Sequence, residues 1–190
     1  MTLASEEKEK LRGYKTNPDC DDVRFKEIIK KKLLDNRLIA YVLNNKKLQE
    51  SDAPLDEYFG VSILPCYLIK PTQTDVENYL CYDVKFDGMS GRNEYMKCGQ
   101  IVFTILCDQK NIIEKTTGIA RHDLLAALIL DEFNWTNYFG MQIHCIADEP
   151  AVIATDYASR TLIFELTTFN GTVKTNDNIS RYILNDEVRT

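Results

Sequence analysis

Two histidines and six cysteines are the residues of this chain best suited to nucleophilic or metal chemistry, and their spacing argues against both. His144 and Cys145 are neighbours on a predicted strand, where adjacent side chains point to opposite faces, so they cannot share a metal or act as base and nucleophile. Cys107 and His122, drawn from separate elements, are the remaining Cys–His combination, and nothing local supports it. Cys20, Cys66, Cys81, Cys98, Cys107 and Cys145 contain no C-x-x-C pair and lie mostly in apolar runs, where a cysteine behaves as a small buried hydrophobe. They read as reduced, unpaired thiols. The acids Asp52, Asp56 and Glu57, and the pair Asp148 and Glu149, lack the glycine-marked spacing of a calcium loop and read as solvated loop acids beside proline. Neither G-x-x-x-x-G-K-[ST] nor G-x-G-x-x-G occurs, so no phosphate cradle or dinucleotide fingerprint is present. The sequence thus predicts no catalytic residue, no cofactor and no metal, and a protein that is not an enzyme.

Charge narrows the partners. Lys and Arg number 23 against 29 Asp and Glu, a net charge of −6, and an acidic balance repels polyanions before any local patch can act. The one basic run, Lys30 to Lys32 extended by Arg24 and Lys26, reads as the solvated face of a helix. The N-terminus has neither the basic flank nor the apolar stretch of a signal peptide, and no apolar run is long enough to cross a bilayer. These features predict a cytosolic site of synthesis and no membrane partner.

The elements that must carry any function follow from periodicity. Residues 1–20 are rich in Glu and Lys with little to bury and read as an N-terminal arm without ordered structure of its own. Phe25, Ile28, Ile29 and Leu33 recur at helical spacing behind a cap at Asp21 or Asp22. After a break near Asn36, Leu38, Ile39, Val42 and Leu43 form a shorter helical stripe ended by Asn44 and Asn45. From Ser62 to Lys70 the chain is β-rich but holds Pro65, which predicts an edge position or a bulge. Leu80, Tyr82, Val84 and Phe86 alternate with polar residues as a half-buried strand, and Ile101 to Cys107 is apolar in both phases, as a central strand should be. A helix is predicted over 119–133, with Leu124, Leu125, Leu128, Ile129 and Phe133 on its inner face, followed by strands over 141–147 and 160–169. Leu124, Leu128, Phe164 and Val84 are expected core residues. The class is α+β, a mostly antiparallel sheet flanked by helices in one domain over 21–169, with polar arms at 1–20 and 170–190.

With so little chemistry, contact-making residues become the candidates. The segment Asp87 to Gly99 is too long for a tight turn and is expected to be an extended loop or projecting hairpin. It offers Met89, Arg92, Tyr95 and Met96, side chains suited to a partner's apolar pocket. Tyr182, Ile183 and Leu184 form one sticky cluster in the polar C-terminal arm.

The order FKEIIKKKLLDNRLIAYVLNNKKL, SILPCYLIK, NYLCYDVKF, IVFTILC, IARHDLLAALILDEF and RTLIFELTTF resembles the tail-terminator, or tail-completion, proteins at the neck of long-tailed bacteriophages, over about 23–169. The resemblance rests on segment order and pattern. It implies a structural virion protein, assembled in the host cytoplasm as a homo-oligomeric ring, commonly a hexamer. Such a ring caps the tail tube, meets the head-tail connector and sometimes the sheath, and lets DNA pass without sequence-specific binding. A heterologous ring interface suits a chain with arms at both ends, and acidic channel walls would not hold DNA. Another neck ring such as a head-closure protein, a cytosolic α+β adaptor, and a small enzyme with a site assembled from distant residues are the alternatives.

Overall fold

The computed structural model describes residues 4–15, 21–67, 77–87, 96–153 and 157–169. Alternation places Leu80, Tyr82, Val84 and Phe86 on one face of strand β2 (Tyr79–Asp87), and the same face is built by Ile101, Phe103 and Ile105 of β3 (Met96–Asp108) and Leu162, Phe164 and Leu166 of β5 (Tyr157–Phe169). With β1 (Ile63–Leu64) and β4 (His144–Ile153) these strands make a five-stranded sheet in the order β1-β2-β3-β5-β4. The fold is α+β, and every strand pair but one is antiparallel. The exception is β1, which runs parallel to β2 with Ile63 opposite Leu80.

Helices cover one face of this sheet. Helix α2 (Asp21–Asp35) sinks Phe25, Ile29 and Leu33 into the core, and Phe25 packs its ring against Phe86 and Phe139. Asn36 then stops one helix and starts the next: its side-chain oxygen accepts the Leu38 N–H at 3.0 Å, capping α3 (Arg37–Leu43). Asn44 closes α3 in the left-handed region at φ 51°, a conformation asparagine tolerates better than most residues. A short α4 (Lys46–Glu50) follows, capped by Asn45. Helix α5 (Arg121–Phe133) lies over β3 and β5, with Phe133 5.1 Å from Phe103 between ring centres. Buried Arg121 ties the helices together, donating to the Val42 carbonyl and the Asn111 carbonyl at 3.0 Å each. Val42 belongs to the last turn of α3, where free carbonyls and the helix dipole favour a cation.

Several expectations are corrected. The N-terminal arm contains a helix, α1 (Ser5–Gly13), although it buries no residue. Asp21 and Asp22 open α2 from inside it, and Asp21 is buried in ion pairs with Arg24 and, at 2.6 Å, Lys97. Of the β-rich stretch from Ser62, only Ile63 and Leu64 pair, because Pro65 interrupts the ladder directly after them; residues 68–70 lie outside the described residues. Strand β4 begins at His144 and continues through Asp148, Glu149 and Pro150, so these acids stand on an edge strand, where proline is tolerated, and not in a loop. On α5 the buried stripe is Leu125, Ala126, Ile129 and Phe133, whereas Leu124 and Leu128 flank it half-buried; Val84 and Phe164 are core residues as expected.

Candidate interaction surface

The register of β2 and β3 runs unbroken from Tyr79 opposite Leu106 to Asp87 opposite Cys98, and the connection between the two strands, residues 88–95, lies outside the described residues. Its contact residues Met89, Arg92 and Tyr95 lie outside the described residues, as do Tyr182, Ile183 and Leu184; Met96 opens β3 with its backbone opposite Phe169. No described contact brings these candidates together.

Among the described residues no helix packs on the sheet's second face. Alternation and register set Lys85, Gln100, Glu165 and His144 in one row across it, and Asp83, Val102, Ile163 and Ala147 in the next. Val102 and Ile163 remain half-exposed there. A small apolar cluster of Leu64, Tyr79, Cys81 and Leu106 closes one end of this face, with Tyr157 against it.

At the free edge beside that face stands Trp135, 64% exposed and the chain's single tryptophan. Its backbone adopts φ 62°, a left-handed conformation that is costly for a bulky residue. Hydrogen bonds hold it there: the Trp135 N–H donates to the Ile143 carbonyl at 2.8 Å, and the Ile143 N–H donates to the Thr136 carbonyl at 2.9 Å. The indole stacks on His144, 5.5 Å between ring centres and 15° between planes. Nearby Ile146 is exposed because it is the extra residue between Cys145 and Ala147, where the β4–β5 register shifts in a bulge.

A second group of exposed apolar side chains surrounds the turn before α5. Ile113 and Ile119 flank the bridge from Ile113 to Ala120, and Tyr41 of α3 reaches the same turn. The turn is organised by Glu114, which is buried and accepts from the N–H groups of Thr116 and Thr117, the Thr117 hydroxyl and the Tyr41 hydroxyl at 2.7–3.0 Å. These donors, led by the Thr116 N–H, lower the Glu114 pKa to about 2.

The groups weighed for chemistry sit otherwise. Cys107 is fully buried in β3 and its thiol is pushed up to about 12 by burial, which leaves little nucleophilic thiolate; no hydrogen bond joins it to His122 among the described residues. Burial also raises the Cys145 thiol. Asp148 and Asp123 are both gripped by Arg160, whose fork meets Asp148 at 2.6 and 2.7 Å and whose hydrogen bonding holds the Asp148 carboxyl below its ordinary range. Among the described residues no three His, Cys, Asp or Glu side chains gather as a metal site, and no helix is long and apolar enough to cross a membrane.

The YomW family matches residues 35–166, from the end of α2 to the last turns of the β-sheet ladder. The chain belongs to the YomW family. The name is that of a protein from an SPbeta-like phage genome, which points to a phage origin for this YomW-family chain. No curated protein matches it. The match spans α3, the sheet and α5, and so takes in both exposed apolar groups, of which sequence periodicity gave no sign. A single tryptophan among Asn134, Thr136 and Asn137, with no Lys or Arg between Arg121 and Arg160, was the available signal.

Proposed function

We propose that this YomW-family chain is a structural protein of a phage tail or neck, forming a ring, of six copies, that terminates the tail tube and joins it to the head-tail connector. The observation that carries this reading is α1. A helix of nine residues is too short to be stable in water by itself, and α1 leaves every residue exposed, Leu11 and Tyr14 included. The Lys15–Glu27 ion pair at 2.9 Å fastens the described end of this arm to α2. A helix with its apolar side chains unspent on its own chain supports assembly, in which a neighbouring subunit supplies the missing surface. The sheet face without a described helix and the phage-genome family name support the same reading. Self-assembled rings, the tail tube protein and connector proteins are the partners, DNA passes through the channel without being read, and the virion is the destination after assembly in the host cytoplasm.

Light scattering on the eluting peak of the purified chain, with negative-stain images of the same fraction, tests the reading. Rings are expected, and removal of residues 1–15 should weaken them while leaving the sheet folded. A chain that stays monomeric and binds a host protein one to one would instead fit the adaptor reading.

A further inference from the structure

The two exposed apolar groups differ in charge. Around Tyr41, Ile113 and Ile119 the free charges are Lys110 and Lys115, both exposed and without an ion-pair partner among the described residues; the acid of that turn, Glu114, is consumed by its own hydrogen bonds. Around Trp135 and Ile146 the signs reverse. His144, opposite Glu165, and Glu149, opposite Thr161, lie on the sheet face without a described helix, neither Glu165 nor Glu149 has an ion-pair partner among the described residues, and the nearest cation in the His144 row, Lys85, stands two strands beyond Glu165 on β2. The chain between Arg121 and Arg160 contains no Lys or Arg at all. The two groups flank opposite ends of α5, about 20 Å apart at 1.5 Å rise per residue.

We infer that the acidic-rimmed tryptophan edge of one copy seats on the basic-rimmed turn before α5 of the next copy, head to tail. Neither surface is complementary to itself: each would face its own sign across a twofold axis, a juxtaposition that is strongly unfavourable. Each is complementary to the other, and an interface between two different surfaces of one protein propagates from copy to copy, closing into a ring where the rotation between copies closes and running on as a filament where it does not, whereas a self-complementary one stops at a dimer. Trp135 fits the role of central anchor, a large aromatic side chain held by backbone hydrogen bonds in a fixed, uncommon conformation before it meets a partner. The bulge at Ile146 and Pro150 interrupt the edge of β4, which favours this side-chain contact over an edge-to-edge extension of the sheet. This inference rests on the ring reading and names its interface.

The test uses two charge variants of the full chain. In the first, Lys110→Glu and Lys115→Glu make both surfaces acidic; in the second, Glu149→Lys and Glu165→Lys make both basic, with Glu149→Lys alone as a milder form should the half-buried Glu165 position disturb folding. Circular dichroism checks each fold. Each variant by itself should associate at least about tenfold more weakly than the parent. Mixing the two should restore assembly, because the acidic turn of one then meets the basic edge of the other. Trp135, as the single tryptophan, reports directly: its emission should shift to the blue and resist acrylamide quenching on parent assembly and on mixing, and not in either variant alone. Association of the parent should weaken as salt rises. If the variants assemble like the parent, or if the parent assembles with Trp135 still open to quencher, the interface lies elsewhere and the ring reading survives. A parent that never assembles overturns the ring reading itself.

Discussion

Glu114 shows how one carboxylate can set the acid sensitivity of a surface. Its pKa falls from 4.5 to about 2 because four donors converge on the ionised form. In the unfolded chain the group takes up a proton first as the pH drops, so its stabilising effect is complete above pH 4.5 and is lost as the pH falls towards 2. Glu114→Gln should be less stable than the parent at neutral pH, and its unfolding midpoint should decline less between those two pH values; parallel pH profiles from urea titrations would contradict this. Gly99 carries a second expectation at this scale. It pairs with Phe86 across β2 and β3, and a Cβ placed on it would sit 2.6 Å from the Phe86 ring. That ring is in turn packed 5.8 Å from Phe25, so it cannot move without opening the contact to α2. Gly99→Ala should cost about 1–3 kcal/mol in chemical denaturation, with the Phe86 displacement as the cause. Its glycine identity was visible in the sequence, but its neighbour across the ladder was not, since register is a tertiary property.

At the scale of elements, local chemistry was legible and non-local pairing was not. The break at Asn36 and the stop at Asn44 were readable because asparagine acts on its own backbone, through the cap to Leu38 and the left-handed φ of 51°. The strands over 80–86, 101–107 and 160–169 were readable because alternation survives whatever their partners are. The inner face of α5 was read correctly at Leu125, Ile129 and Phe133 and too widely at Leu124 and Leu128, which are half-buried, while buried Ala126 was not named. Leu124 to Leu130 is apolar almost all round, so periodicity cannot set the limits of the inner face, and packing of α5 on β3 and β5 buries Leu125 and Ile129 more deeply than Leu124 and Leu128. Ile129→Ala should therefore cost about 2–5 kcal/mol and Leu128→Ala clearly less, as thermal or urea unfolding can check. Equal losses would contradict this difference in burial. The parallel pairing of β1 with β2 is a non-local contact, Ile63 opposite Leu80, which no local pattern encodes. The exposed tryptophan edge was illegible for a related reason: apolar residues announce burial in a sequence, and exposure appears only when the fold leaves them outside.

For the whole molecule, the account joins a sheet with helices on one face among the described residues, a helix that buries nothing, and two apolar surfaces of opposite charge in a chain of the YomW family. Each alone is compatible with an ordinary folded domain. Together they support the proposal of a subunit whose surfaces are completed by copies of itself, and this is the claim on which the tail-ring proposal stands. Sedimentation velocity of the purified chain over a broad concentration range measures it most directly. The account predicts a discrete, closed species of six chains that forms as concentration rises, without dimers as the end point. A single monomeric boundary at every concentration, or a terminal dimer, would contradict it.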